Sequence, residues 1–294
     1  MIRALPLAAL AGFLCLATTP SLAEQAPYPK DETARRAELD AMNWLSGPSG
    51  YEVETSHSTM RAPESSAVLL GKDAQRYEFL INGVEFPNTE MVIYDPASEV
   101  EISVEFHREG FVKDDDWSEV DADDFLKQLI EGQLESNKRR SANGQEAFDV
   151  IGWLERPSYD PAKHVAHYVL ELGTAQRHWL NAVAVKLGRE GYHQFTWVGD
   201  IEQYKHGGPA VLAATLDSHS YAEGYRYIDV KSGDKVAAYG IAGLVAAVAG
   251  VKLGKGLLAG ALAFLAIAGK KLAILAVPAL IGIRAAVKRF FRRS

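Results

Sequence analysis

Cysteine is almost missing from this chain. The single one, Cys15, lies inside an apolar N-terminal stretch. Once that stretch is removed, no disulfide, thiolate metal site or cysteine nucleophile can form. Carboxylate side chains are missing from one end. Asp234 is the last, and the sixty residues after it carry ten Lys and Arg. Apart from those ten and Arg3, only twenty of the thirty-one basic residues face all thirty-eight acidic ones, so the body of the chain is strongly negative. Such a body repels phosphates, which excludes nucleic acid as a partner. Other signatures are missing too. There is no G-x-S-x-G elbow. LGREG and GKG lack the spacing of a phosphate loop. The acids from Asp114 onward lack the early glycine of an EF-hand, and Phe125 stands at the twelfth position.

What is present at the two ends points to topology. Arg3, the apolar run Ala4 to Ala17 and the small residues Ser21 and Ala23 predict a signal peptide over 1–23. An uncleaved anchor and a lipoprotein are the alternatives; Leu14, directly before Cys15, argues against the second. An exported acidic domain over 24–234 follows. Val236 to Val251 is sixteen residues without a charge, about 24 Å as helix, and predicts a transmembrane helix over 235–252. A basic apolar tail over 253–294 completes the chain. In a continuing helix Lys252, Lys270 and Lys288 share one direction, flanked by Lys255, Lys271 and Arg289. That stripe predicts cytoplasmic-face anchors on the anionic lipid of the inner leaflet. A two-span hairpin is the alternative. Gly250/Gly254 and Gly256/Gly260 have the spacing of close helix packing, with a homodimer through the tail as its consequence. The expected location is a bacterial inner membrane, with the main domain outside the cytoplasm.

Within the domain, Glu32 to Leu45 predicts a helix. Tyr51 to Ser56 and Ala67 to Leu70 predict short strands. Glu90 to Tyr94 and Val100 to Phe106 predict a hairpin, the second strand alternating Val100, Ile102, Val104 and Phe106 with polar residues. Leu126, Leu129, Ile130 and Leu134 have helical spacing, and Asp121 is the expected N-cap. Strands are predicted at Ala147 to Trp153, His164 to Leu172, Trp179 to Leu187 and Tyr192 to Val198. Pro209 suits the start of a closing helix. The order predicts an α+β domain with an antiparallel sheet and flanking helices.

The segments GFVKDDDWSEVDADDFL, NKRRSANG, GWLERPSYDPAKHVAHYVLEL, LGREG and GDKVAAYGIAGLVA occur here in succession. Their ordered set resembles the bacterial DUF2167 family, from about Trp44 to the end. The resemblance implies a membrane-anchored envelope protein and supplies no catalytic residues. The chain departs from the family at Asn181 to Ala184, where a more polar strand is expected. The strand–helix order from Val100 is also similar to the Mog1/PsbP-like sandwich.

Candidate chemistry is sparse. Asp114, Asp115, Asp116, Asp121 and Asp124 offer oxygen ligands for calcium or magnesium; helix capping and a solvated turn explain them as well. His164 and His167, two residues between them, would face opposite sides of a strand. Glu155 and Asp160 flank a turn. Trp153, Tyr159, Tyr168, Trp179, Tyr192 and Trp197 read as core, with a ligand groove as the alternative. No segment combines a nucleophile, a base and an orienting group. The functional expectation is a non-enzymatic binding or scaffolding module, with an envelope protein, peptide or polymer as partner. A membrane-tethered hydrolase or metal-assisted enzyme is the alternative.

Overall fold

The computed structural model describes residues 28–249, apart from 30, 47–49, 64–65, 84, 98 and 143–145. Eight strands form one antiparallel sheet: β1 (Leu45–Ser46), β4 (Ala67–Leu70), β5 (Thr89–Asp95), β6 (Val100–His107), β7 (Asp149–Asp160), β8 (Val165–Gly173), β9 (His178–Leu187) and β10 (Tyr192–Gly199). Their order across the sheet is β1-β4-β5-β6-β10-β9-β8-β7. A second, three-stranded sheet has the order β11-β3-β2, from β2 (Gly50–Val53), β3 (Ser58–Arg61) and β11 (His219–Tyr221).

The strand alternation sorts the faces. Val100, Ile102 and Val104 of β6 share a core with Phe195, Trp197, Ala182, Ala184 and Met60. The small sheet lies on this face together with helices α4 (Ile201–His206) and α5 (Gly208–Ser218). Tyr204 of α4 packs on Trp197 with ring centroids 5.0 Å apart. On the opposite face lie α1 (Glu32–Asp40) and α2 (Gly71–Asn82), where Leu69, Ala74 and Val92 form a second cluster. The same face carries α3 (Ala122–Ala142), whose Phe125 meets Trp153, which in turn meets Tyr168. The chain leaves β6 in the middle of the sheet and re-enters it at the far edge as β7. Four strand spacings separate the two, about 19 Å, and the 21 residues of α3 reach about 31 Å. Asp121 starts that helix as expected: its Oδ1 accepts from the amides of Asp123 and Asp124 at 2.9 and 3.0 Å.

The apolar run after Asp234 departs from expectation. Among the described residues no helix is long and apolar enough to cross a membrane. This overturns the transmembrane helix at 235–252, and with it the membrane-anchored module and the single-pass or hairpin topology. The segment instead belongs to the domain. Val236 bridges Phe111 in parallel, and Ala237 N–H donates to Phe111 O at 2.9 Å. Ile241 N–H donates to Lys113 O at 2.8 Å. The run then forms α6 (Ile241–Val248), eight residues long, which is about 12 Å. Ile241, Leu244 and Val245 are buried. A helix apolar on all sides suits a protein core as well as a bilayer, and its pattern alone does not separate the two. The expectations for 1–23 and 253–294, for Gly250, Gly254, Gly256 and Gly260, and for Lys252, Lys255, Lys270, Lys271, Lys288 and Arg289 lie outside the described residues.

Candidate functional site

The acids after β6 do not gather around one point. Asp114 is the hub of a half-buried knot. Its Oδ2 accepts from the Tyr159 hydroxyl of β7 and lies 3.4 Å from Nδ1 of His164. Tyr159 Oη is 3.3 Å from the same His164 nitrogen. His164 closes the β7–β8 turn with φ +52°, a left-handed conformation that non-glycine residues adopt at a cost. Its ring packs on Tyr227 at 4.1 Å, and Tyr227 stacks on Phe111 at 4.6 Å. Trp117, in a single 3₁₀ turn (Trp117–Glu119), packs on Tyr159 at 5.5 Å. Burial disfavours the Asp114 carboxylate, but Tyr159, Tyr227 and His164 outweigh it and hold its pKa below the usual value. Burial, with Asp114 beside them, pushes both tyrosine hydroxyls up, so they are donors and not phenolate bases.

The remaining acids have separate tasks. Asp116 Oδ1 accepts from the Ala242 amide of α6 at 3.2 Å. A Cβ on Gly240 would fall 2.2 Å from its other oxygen, so a larger residue there would have to push the carboxylate aside. Asp123 pairs with Arg156, and Asp124 accepts from Gln128 at 2.8 Å. Asp115 and Glu119 are exposed. Among the described residues no three His, Cys, Asp or Glu side chains are placed to hold a metal ion. His167 approaches Glu155 at 3.5 Å, away from the His164 knot, and Glu155 accepts from Tyr204 at 3.0 Å. Asp160 accepts from the amides of Ala162 and Lys163 in its own turn. Of the aromatics, Tyr168, Tyr192 and Trp197 are buried, and Trp153 Nε1 donates to Ala122 O at 2.9 Å.

The segments that carry the family resemblance interlock physically. Arg189 of LGREG forks onto Asp234 with two 2.7 Å bonds and donates to Gly224 O at 2.8 Å. That pairing holds Asp234 down to a pKa of about 2. A Cβ on Gly191 would lie 2.0 Å from His107 O, and one on Gly110 (φ +98°) 2.6 Å from Lys235 O. The LGREG turn, the GFVKDDDW loop and the GDKVAAYG segment thus close on one another.

A buried polar network between the two sheets was not visible in the sequence. His193 Nε2 meets Glu90 Oε2 at 3.0 Å, and Nδ1 meets Tyr221 Oη at 2.9 Å. The Tyr221 hydroxyl also accepts from the His193 amide at 3.1 Å and donates to Lys186 O at 2.9 Å. Residues 193 and 186 are register partners in β10 and β9, so this hydroxyl is inserted into their ladder. Gly188 makes room, since a Cβ there would lie 2.6 Å from the Tyr221 ring. Ser56 donates to Glu90 at 2.8 Å. His219 sits 4.3 Å from His193, and among the described residues neither of its ring nitrogens has a hydrogen-bond partner. Burial lowers the pKa of both histidines, that of His219 strongly. The alternation Tyr192-His193-Gln194-Phe195-Thr196-Trp197 was the available signal: it puts His193 on the core face with Phe195 and Trp197. Its partners, however, lie 103 and 28 residues away.

On the opposite face Glu78 of α2 is buried and accepts from Asn82 at 2.7 Å. Burial first, then Glu101, pushes its pKa up to about 8. Burial likewise raises Glu101 to about 6, against a hydrogen bond from Tyr77.

With this geometry in hand, comparisons with known proteins add the following. A family model described as "Protein of unknown function (DUF2167)" matches residues 46–281. No curated protein sequence matches. Among solved structures, the solution structure of cyanobacterial PsbP (CyanoP) from Synechocystis sp. PCC 6803 is 12% identical with a TM-score of 0.36, over 60% of this chain and 94% of that one. A crystal structure from Bacteroides thetaiotaomicron VPI-5482 is 7% identical with a TM-score of 0.31, over 61% of this chain and 50% of that one. Likenesses of this size carry no argument about activity.

Proposed function

The chain belongs to the DUF2167 family, and we propose that its domain is a binding module whose acidic face docks a cationic segment of a protein or polymer. One observation carries this reading. Between residues 114 and 124 five carboxylates face solvent, Asp115, Glu119, Asp121, Asp123 and Asp124. Among the described residues only Asp123 of these five has an ion-pair partner. Asp114 and Asp116 are tied inward to Tyr159 and Ala242, which fixes the loop that presents the others. Half-buried Trp117 and Tyr159 lie beside the charges and supply contact area. A fixed array of like charges attracts an oppositely charged partner and does so less well at high salt.

The test uses the full chain and fluorescein-labelled decalysine, read by fluorescence anisotropy at low and high salt. Replacing Asp115, Glu119 and Asp124 by their amides should weaken binding about fivefold, from roughly 0.3 kcal/mol per charge. A control triple at exposed Glu52, Glu54 and Glu99 removes the same charge elsewhere and should change binding much less. Equal weakening by the two triples would show that net charge alone attracts the probe, and the docking face would be discarded.

A further inference from the structure

A cleft of about 260 Å³ lies between the β7–β8 hairpin and α5. Lys186 of β9 lies in it beside its register partner Val165. Its Nζ donates to Leu216 O at 3.1 Å and to His219 O at 2.7 Å. An ammonium has three N–H donors, so among the described residues one is left over in a group that lines the cleft. Ser158 lines it too, and among the described residues its hydroxyl makes only a 3.5 Å contact with His167 O, at the outer limit of a hydrogen bond. A charged donor and a hydroxyl thus border one small space whose apolar walls are Val165, Ala213 and Leu216.

The other charged groups of the cleft are already occupied. Asp217 pairs with Lys163 at 2.8 Å. Asp160 accepts from two turn amides at 2.9 and 3.3 Å. Burial, opposed by Glu155, lowers the pKa of His167 and favours its neutral ring. Among the described residues Lys186 makes no direct ion pair: Asp217, held by Lys163, only acts on it at longer range, against the burial that lowers the lysine's pKa, and a carboxylate at Nζ would offset that burial. The volume lies just below the roughly 300 Å³ at which drug-sized pockets begin, so it suits a small molecule.

We propose that this cleft binds a small carboxylate with a short branched apolar stem. The carboxylate sits on Lys186 and Ser158, and the stem lies against Val165, Ala213 and Leu216. This site adjoins the acidic docking face at Tyr159, but its test uses none of that face's carboxylates and stands or falls independently of it. The carboxylate has two sources, a simple acid or a free amino acid, whose ammonium group would be received at the rim by Oδ2 of Asp160, since both turn amides use Oδ1.

Thermal unfolding of the full chain, at fixed ionic strength, tests the proposal with isovalerate, L-valine and the neutral isostere isovaleramide. Ligand that binds only the folded state raises Tm with a saturable dependence on concentration. Isovalerate or L-valine should do so and isovaleramide should not; which of the two acts identifies the source. Ala213→Trp, at an exposed position of α5, fills the cleft and should weaken the effect at least about tenfold, the equivalent of 1.4 kcal/mol. Lys186→Met should abolish it; because Lys186 also holds the end of α5, the Ala213 variant keeps the test valid if the lysine variant fails to fold. An equal response to acid and amide overturns the proposal. So does wild-type affinity in Ala213→Trp, or no response to either acid up to about 50 mM, a concentration that would saturate most of a site with millimolar affinity.

Discussion

Replacing His219 by Leu should change how stability depends on pH. His219 is 2% exposed, neither ring nitrogen has a hydrogen-bond partner among the described residues, and it sits among His193, Tyr221 and Phe195. Its pKa in the fold is well below 6.5, first because of burial and then because of His193 and Lys186. In the unfolded chain the same ring takes up a proton near pH 6.5. The unfolded state therefore binds the extra proton as the solution is acidified. Stability that is present above pH 6.5 is lost as the pH falls below it. For a ring that stays neutral in the fold down to pH 5, the loss is RT ln(1 + 10^1.5), about 2 kcal/mol. Leucine does not titrate, so the variant avoids this loss. The carboxylates with raised pKa act in the opposite direction, but they are common to both proteins and drop out of the difference. Urea unfolding of the full chain, followed by tryptophan fluorescence at several pH values from 8 to 5, gives that difference. The variant should gain about 2 kcal/mol on the wild type across this range, whatever its offset at pH 8. A difference that is flat with pH would show that His219 is not held neutral in the fold, and the reasoning would be wrong.

Glu78→Gln should stabilise the protein in alkali. The carboxyl has a folded pKa of about 8 against 4.5, so keeping it ionised above pH 8 costs a few kcal/mol that the amide avoids; the two urea midpoints should separate at pH 9 and converge towards pH 4.5. Gly191→Ala should destabilise by at least about 2 kcal/mol, because its Cβ would lie 2.0 Å from His107 O. Gly50→Ala, with nothing within 4 Å among the described residues, should stay within about 0.5 kcal/mol; thermal melts of both variants check the pair.

Local patterns foretold much of the fold, and their failures have physical causes. Ala67–Leu70 forms a strand as expected, Asp121 caps its helix, and Val100, Ile102 and Val104 face the core as expected, although Glu105 on the other face of that strand is buried too. The α+β class with an antiparallel sheet follows from such elements. Helix α2 was missed because its inward face includes Glu78 alongside Ala74 and Leu80, and a buried carboxyl interrupts the apolar stripe. The first helix stops at Asp40 and not at Leu45, which pairs with Val68 instead. The run from Val236 read as a bilayer span because uniform apolarity has two solutions, and the tie to Phe111 and Lys113 was invisible in sequence. Of the candidate residues, Asp114, Tyr159 and His164 meet, yet nothing in their spacing brings Tyr227 to them. The His193–Glu90–Tyr221 network is wholly tertiary, since each member belongs to a different strand or sheet.

The hydroxyl of Tyr221, standing between His193 and Lys186, sets an order on assembly. Two neighbouring strands of the large sheet can align early, but their shared edge stays one link short until a residue made later arrives from the small sheet. A chain that ends before position 221 has no such hydroxyl to offer that rung, and the His193 amide and the Lys186 carbonyl would turn to water or to each other.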